Sequence, residues 1–221
     1  MSKAEVVRVY HFCNYEYGLK NIINRRLKVA RIMELNDPFE LMAYELTDKV
    51  KREAVKNLKI AFALQFGFLC FSRSYRSPVQ WAHYGDKHKG ICLGFDVSSD
   101  ILHQVEYTGA RKIFHPGLVD TQEKAFNWLM SFFSTKHRSW SYEREMRLLK
   151  SLRSSEKEGD LYFTKFGAQL ELKRVIAGCN FPDSNAAIRD ALGEELNMVE
   201  VFKARPAFSK FEIVRDKSVW R

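Results

Sequence analysis

The sequence predicts an α+β fold, with mixed or antiparallel sheets flanked by helices. Three observations lead there. Short strand-like apolar segments recur along the chain, alternating at residues 5–12 and near-continuous at 66–71 and 90–96. Between them lie amphipathic stretches of helical period, several introduced by a cap signature. Strict strand–helix–strand repetition is lacking, so segregated or antiparallel pairing is favoured over a parallel, doubly wound sheet.

The elements follow in order. Residues 5–12 alternate as a strand, with Val7, Val9 and His11 on one face. Residues 15–25 carry Leu19, Ile22 and Ile23 at helical spacing, and residues 27–33 read as a short strand. Asn36-Asp37-Pro38-Phe39-Glu40 has the form of a helix start. Asp37 is the expected N-cap, Pro38 the N1 residue and Glu40 the reciprocal partner in a capping box, opening a helix to about residue 64. Ala61, Phe62 and Leu64 are expected to pack inward. Residues 66–71 form a buried strand. Ser77-Pro78-Val79-Gln80 repeats the start signal for a short helix that Gly85 closes, and residues 90–96 form the next strand. Further strands are expected at residues 105–107 and 112–114, and a helix at 120–136 capped by Asp120. Strands follow in the second half of 140–149, at 161–163 and at 170–177. Asp183 is expected to cap a helix to about 196. Residues 199–203 and 211–215 read as a closing strand pair joined by a turn at 205–209.

Length and composition bound the function. At 221 residues the chain fits one globular domain, 1–221. It is 46% hydrophobic with 17 phenylalanines, enough for a substantial core. No apolar run reaches the roughly 18 residues of a membrane span, and the N-terminus lacks a secretory apolar segment. Cys13, Cys70, Cys92 and Cys179 are scattered, without a C-x-x-C pair or a Cys/His cluster. Reduced thiols, a cytoplasmic setting and no metal are therefore expected. The net charge of +9 suits nucleic acid or another anionic macromolecule as partner; a solvated basic face is the alternative.

Five blocks carry a family resemblance: NDPFE at 36–40, CFS at 70–72, WAHY at 81–84, KGICLGFD at 89–96 and WSYEREMR at 140–147. Together they resemble a bacterial family of unknown function, DUF2971. A more distant similarity links the opening block, VYHFCNYEYGLKNIINRRLKVA, to ADP-ribosyltransferase-like proteins. That resemblance implies a split sheet and NAD as substrate. His11 falls where an NAD-contacting residue lies, Cys70-Phe71-Ser72 and Tyr84 match the second block, and Glu143-Arg144-Glu145 matches the strand with the catalytic carboxylate. The Ser-Thr-Ser and glycine-rich signatures of that superfamily are absent.

The residues have a chemistry of their own. In a strand, Glu143, Glu145 and Arg147 share one face. Carboxylates there suit cleavage of a nicotinamide–ribose bond, whose transition state is oxocarbenium-like; an internal ion pair on an edge strand is the alternative. His11 and Ser72 are candidate ribose contacts, or else a structural histidine and a turn. Arg73 is a candidate phosphate fork. Trp81 and Tyr84 are candidate stacking groups, or else the packed face of a helix. Asn36 is a candidate binding residue because capping leaves it unused. The expectation is an NAD-using ADP-ribosyltransferase-like enzyme, a phage-defence or toxin effector acting on nucleic acid or protein, with Glu143 or Glu145 catalytic. The alternatives are a non-catalytic basic binding module and a metal-dependent nuclease using Asp160 and the Glu171-Leu172-Lys173 run. Cys13 and Cys70 are further candidate nucleophiles without an adjacent activating histidine.

Overall fold

The computed structural model describes residues 5–113, 120–218 and 220, the Phe126 side chain excepted. The architecture is α+β, organised as two compact units. The first comprises Met1–Leu27, Phe71–Ile101 and Thr164–Arg221, the second Lys28–Cys70 and Leu102–Phe163.

The first unit is built on a mixed sheet. Strand β1 (Val6–Cys13) pairs antiparallel with β4 (Ile91–Ser98) along its whole length, from Val6 opposite Ser98 to Cys13 opposite Ile91. β4 pairs antiparallel with β11 (Glu171–Ala177), and β11 pairs parallel with β12 (Glu200–Pro206). β12 turns back into antiparallel β13 (Ile213–Arg215). Helices α1 (Tyr15–Ile23) and α5 (Asn185–Leu192) pack together. Tyr10, Trp81, Cys92, Ile176, Phe202 and Ile213 share one core cluster. β4 is buried along nearly its whole length, as its β-branched and aromatic run requires, while β1 is more open toward its start.

Helix α3 (Pro78–Tyr84) forms as its signature predicts: Ser77 Oγ accepts from Gln80 N at 3.3 Å, Pro78 occupies the first turn and Gly85 ends it. The next three residues, Asp86, Lys87 and His88, all have positive φ, at 48°, 52° and 69°. A run of three non-glycine residues in the left-handed region is strained. It delivers the chain to Gly90, where a Cβ would lie 2.1 Å from the Cys13 carbonyl oxygen, so only glycine fits.

The second unit contains the end strands β5 (Leu102–Gln104) and β8 (Glu145–Ser151), antiparallel, with β8 beside β3 (Phe66–Ser72); the unit boundary falls within β3, after Cys70. Strands β6 (Glu106–Thr108) and β7 (Thr135–His137) pair in parallel. Short β9 (Glu156–Glu158) and β10 (Leu161–Lys165) form a hairpin, and β2 (Arg26–Val29) lies beside β10 in the strand order; the unit boundary cuts β2 after Leu27 and β10 after Phe163. Its core gathers Ile32, Leu41, Tyr44, Phe62, Phe68 and Phe133 beneath α2 (Lys49–Ala63) and α4 (Gln122–Phe133).

Several elements differ from the sequence-based expectation. The helix expected from Asp37 starts at Lys49, capped by Asp48, whose Oδ1 accepts from Val50 N at 2.6 Å. Asp37 instead turns the chain locally, accepting from Phe39 N at 2.9 Å, and Leu41 follows at φ 57°. Left-handed backbone at Leu41 cannot continue a right-handed helix. Phe62 is buried as expected, but Ala61 is exposed and Leu64 is 75% exposed. Thr121, not Asp120, caps α4, accepting from Lys124 N at 3.2 Å, and the helix ends at Phe133. Residues 135–137 extend into β7, because Thr135 pairs across to Glu106. The strand expected at 112–114 is reduced to a bridge between Lys112 and Tyr44, and Phe114 lies outside the described residues. Helix α5 stops at Leu192 because Gly193 takes φ 60°. Ser184 holds its cap position; Asp183 accepts from Ser184 N and from the Tyr15 hydroxyl instead.

Candidate functional site

The second unit buries an ionic cluster. Its centre is Arg147 on β8, which is 0% exposed. The guanidinium donates to Glu145 Oε1 at 2.8 Å through Nε, and to Glu40 at 2.9 and 2.6 Å through its two terminal nitrogens. It also reaches Glu145 Oε2 at 3.2 Å and the Phe133 carbonyl at 2.6 Å, and its plane lies 5.3 Å from the Phe68 ring centroid. All the planar donor geometry of arginine is used. Lys136 on β7 joins the same carboxylates, with Nζ 2.7 Å from Glu145 Oε2, 2.8 Å from Glu143 Oε2 and 3.4 Å from Glu40 Oε1.

Local structure explains the convergence. Glu145 and Arg147 are two apart on one strand and therefore share a face. Glu143 is not on that strand. It closes the 3-10 turn Arg138–Glu143, and Arg144 at φ 47° separates it from β8. The expected three-residue face is thus a two-residue face, and Glu143 reaches Lys136 from the turn. Glu40 arrives from the 37–42 turns. Its carboxylate serves Arg147, which is why no capping box forms there.

The cluster holds Glu40, Glu143 and Glu145 against Lys136 and Arg147, three negative charges to two positive, a net of −1. Burial by itself would raise the Glu145 pKa, but Arg147 and Lys136 override it and hold the carboxyl well below the ordinary range. Burial would lower the Lys136 pKa, and Glu145 and Glu40 reverse that, keeping the ammonium charged. Glu145 is therefore a fixed negative charge near neutrality, suited to electrostatic stabilisation and not to proton transfer. Beside it, burial and then the Glu145 charge push the Cys70 thiol well up, and burial pushes Cys13 up to about 12. Neither thiol ionises readily enough to act as a nucleophile. The Tyr107 hydroxyl accepts from Glu145 N at 2.8 Å, and burial raises its pKa to about 12.

Lys136 also lines a cavity of about 360 Å³. Its walls include Phe39, Met42 and Ala43 on one side and Thr108, Gly109 and Arg111 on another, with Thr135 and His137 flanking Lys136. Phe39 is 55% exposed, and the Arg111 guanidinium sits 5.7 Å from its ring centroid. The volume falls within the roughly 300–1,000 Å³ of small-molecule sites.

The other sequence-based candidates divide between the units. Asn36 belongs to the second and is exposed. His11, Ser72, Arg73, Trp81 and Tyr84 belong to the first. The His11 ring packs edge-on to Phe71, with centroids 6.0 Å apart. Ser72 is buried, and its hydroxyl closes a turn with Ser74, donating to the carbonyl at 3.0 Å and accepting from the amide at 3.1 Å. Trp81 is fully buried, donates to the Tyr75 carbonyl at 2.7 Å and packs against Phe12 and His88. It is a core anchor and not a stacking surface. Arg73 is exposed, and Tyr84 is half-buried with its ring 6.1 Å from that of His83. Glu40 and Lys136 complete the cluster. From the sequence, Glu40 goes to a capping box and Lys136 to the end of a helix, and no local signal assigns either to the site. Glu171 forms an exposed pair with Lys173 at 2.6 Å, and Asp160 sits in an exposed turn. Among the described residues no group of three His, Cys, Asp or Glu side chains is arranged to hold a metal ion. No helix of the described residues is long and apolar enough to cross a membrane.

Fold and cluster together define an α+β protein with a buried carboxylate–guanidinium centre in its second unit. Residues 80–148 match the profile of a family described as a protein of unknown function (DUF2971), a span that includes Lys136, Glu143, Glu145 and Arg147. No curated protein and no solved structure matches the chain.

Proposed function

We propose that the second unit carries out NAD-dependent ADP-ribosyl transfer, with the cavity at Lys136 taking the nicotinamide–ribose end of the dinucleotide. The observation that carries this reading is the excess of buried carboxylate charge one lysine behind the cavity wall. As the bond from ribose C1′ to nicotinamide breaks, its electron pair leaves with neutral nicotinamide and positive charge develops on the sugar. A nucleophile on the acceptor then bonds to C1′ and loses its proton. Fixed carboxylates in a desolvated site stabilise that charge without giving or taking a proton. Glu145 is locked between Arg147 and Lys136 and sets the field. Glu143, held from the 3-10 turn by Lys136, is the carboxylate nearer in role to the sugar. Phe39 offers a ring for the nicotinamide and Arg111 a guanidinium for the pyrophosphate. The acceptor in this reading is nucleic acid or protein, as for a defence or toxin effector, and the four free cysteines agree with a cytoplasmic setting.

Calorimetric titration with NAD, followed by an assay of nicotinamide release, tests the reading. Wild type is expected to bind NAD. Phe39→Ala and Arg111→Gln, both at the cavity mouth, should weaken binding without lowering the melting temperature. Glu143→Gln should abolish release while NAD still binds. Titrations of His11→Ala, Ser72→Ala and Tyr84→Phe test, one residue at a time, the NAD contacts expected from the sequence. Absence of NAD binding by folded wild-type protein overturns the proposal.

A further inference from the structure

The tip of the β12–β13 hairpin presents two bare aromatic rings. Phe208 is 94% exposed and Phe211 100% exposed. The tip is ordered by its own backbone: Ala207 N donates to the Glu212 carbonyl at 2.8 Å, and Glu212 N to the Lys210 carbonyl at 2.9 Å. The rings are therefore held outward by structure, not left behind by a failed core. Cations surround them. The Arg205 guanidinium lies 4.3 Å from the Phe208 ring centroid, and Lys210 separates the two rings in sequence. From Lys203 to Lys217 the segment contains Lys203, Arg205, Lys210, Arg215 and Lys217 against Glu212 and Asp216, which is 5 − 2 = +3. Glu212 is itself engaged by Arg76 at 2.9 Å.

The base of the same hairpin opens on a second cavity, of about 420 Å³. Lys203, Arg215, Asp216, Lys217 and Trp220 line it. Lys203 Nζ stands 6.0 Å from the Trp220 ring centroid, so a cation and an indole face are paired again. Alanine, serine or glutamate at positions 208 and 211 would be the ordinary choice for a solvated turn; two bare phenylalanines three apart at one tip mark an interaction site, and their rings suit a ligand with flat faces. The surrounding positive charge makes that ligand anionic. A polymer with a π face and a negative charge at every repeat is single-stranded nucleic acid, and stacking rings with interleaved Lys and Arg are how such strands are held.

We propose that the β12–β13 hairpin is a binding surface for single-stranded nucleic acid, with bases stacking on Phe208 and Phe211 and phosphates meeting Arg205, Lys203 and Lys217. The surface lies in the first unit and does not depend on the NAD reading. A duplex buries its base faces and cannot use the rings. A lipid surface could use phenylalanine and lysine, but it has no use for the Trp220 cavity.

The experiment is fluorescence anisotropy on the full chain with labelled 15-mer oligouridylate and oligothymidylate, a 15-base-pair duplex, and vesicles of phosphatidylcholine with phosphatidylserine. Both single strands are expected to bind more tightly than the duplex, with affinity falling steeply as salt is raised. Phe208→Ala and Phe211→Ala should each weaken binding on the order of tenfold, with the salt dependence unchanged. Lys203→Gln with Lys217→Gln should flatten the salt dependence. Phe208, Phe211 and Lys217 are exposed and Lys203 is half-buried, and an unchanged melting temperature verifies folding. The proposal is overturned if the single strands do not bind, if both phenylalanine variants bind like wild type, if the duplex binds equally well, or if only the vesicles bind. NAD titration of the phenylalanine variants should match wild type, which separates this surface from the Lys136 cavity.

Discussion

Replacing Arg147 with methionine removes the centre of the buried cluster while keeping most of its volume. Arg147 makes four carboxylate contacts between 2.6 and 3.2 Å and one carbonyl contact at 2.6 Å, all away from water. Without it Glu40, Glu143 and Glu145 face Lys136 alone, so the buried net charge goes from −1 to −2. Breaking one side of a buried pair in this way costs about 3–5 kcal/mol, because the abandoned carboxylates stay desolvated. Against a total stability of about 5–15 kcal/mol for a native protein, that loss is large. Removing Glu40 in the same molecule, as Glu40→Leu/Arg147→Met, takes the net charge back to −1 and removes the carboxylate that had taken both terminal nitrogens of Arg147. The double variant should therefore be more stable than Arg147→Met, although each single substitution is destabilising. Urea denaturation followed by far-ultraviolet circular dichroism measures all four corners of the cycle. A single-variant cost below about 1 kcal/mol, or simple additivity in the double variant, would refute the view that these charges are held as one desolvated unit.

Two further outcomes are expected. Acid should destabilise the protein in two steps. His88 and His103 have pKa values lowered by burial, so the unfolded chain binds more protons, and stability falls as pH drops below about 6.5. Glu145 has a depressed pKa, so its contribution is complete above the unfolded value of about 4.3 and is lost as pH falls further toward its folded value. A melting-temperature series should show a smaller lower step in Glu145→Gln and an unchanged upper one, since Glu34 and Asp96, also held low by their cationic partners, supply the remainder; an unchanged lower step counts against the assignment. Separately, Lys87→Gly should stabilise the protein by about 0.5–1 kcal/mol. It relieves left-handed strain of about 1–2 kcal/mol at φ 52° and costs part of that in unfolded-chain freedom. A lower denaturation midpoint for Lys87→Gly would mean the 86–88 turn is not strained.

Local patterns were legible where the determinants are local. β1 follows from alternation and β4 from a continuous apolar run, and the Ser77-Pro78-Gln80 start forms as written because cap, proline and third residue lie within one turn. The identical-looking start at Asp37-Pro38-Glu40 does not form a helix. A glutamate in a capping box and a glutamate in a buried ion pair are the same residue type, and nothing near position 40 reports on Arg147, 107 residues away. The same blindness hid Lys136. Read locally it continues helix α4; read in space it lies on β7 and contacts three carboxylates brought from elsewhere in the unit. The Glu145–Arg147 pair was legible because strand periodicity places it within one element. Glu143 was placed on that face wrongly because the left-handed residue at 144 is invisible to periodicity.

That distribution bears on what the cluster is for. A cluster that served only to fasten β8 to the 37–42 turns would be complete with Arg147, Glu40 and Glu145, since the guanidinium already engages both oxygens of each carboxylate. Lys136 and Glu143 add a further desolvated cation and anion, and desolvation makes each addition costly unless it is used. Lys136 is also the member that lines the cavity. The fastening role and the chemical role therefore fall on different residues and separate experimentally. Glu40→Gln and Arg147→Met should act through stability. Glu143→Gln removes a charge that pairs with Lys136 behind the cavity wall, so its effect on nicotinamide release should exceed its effect on the melting temperature. If Glu143→Gln instead tracks Glu40→Gln in stability and leaves NAD binding and turnover untouched, the whole cluster is a fastening.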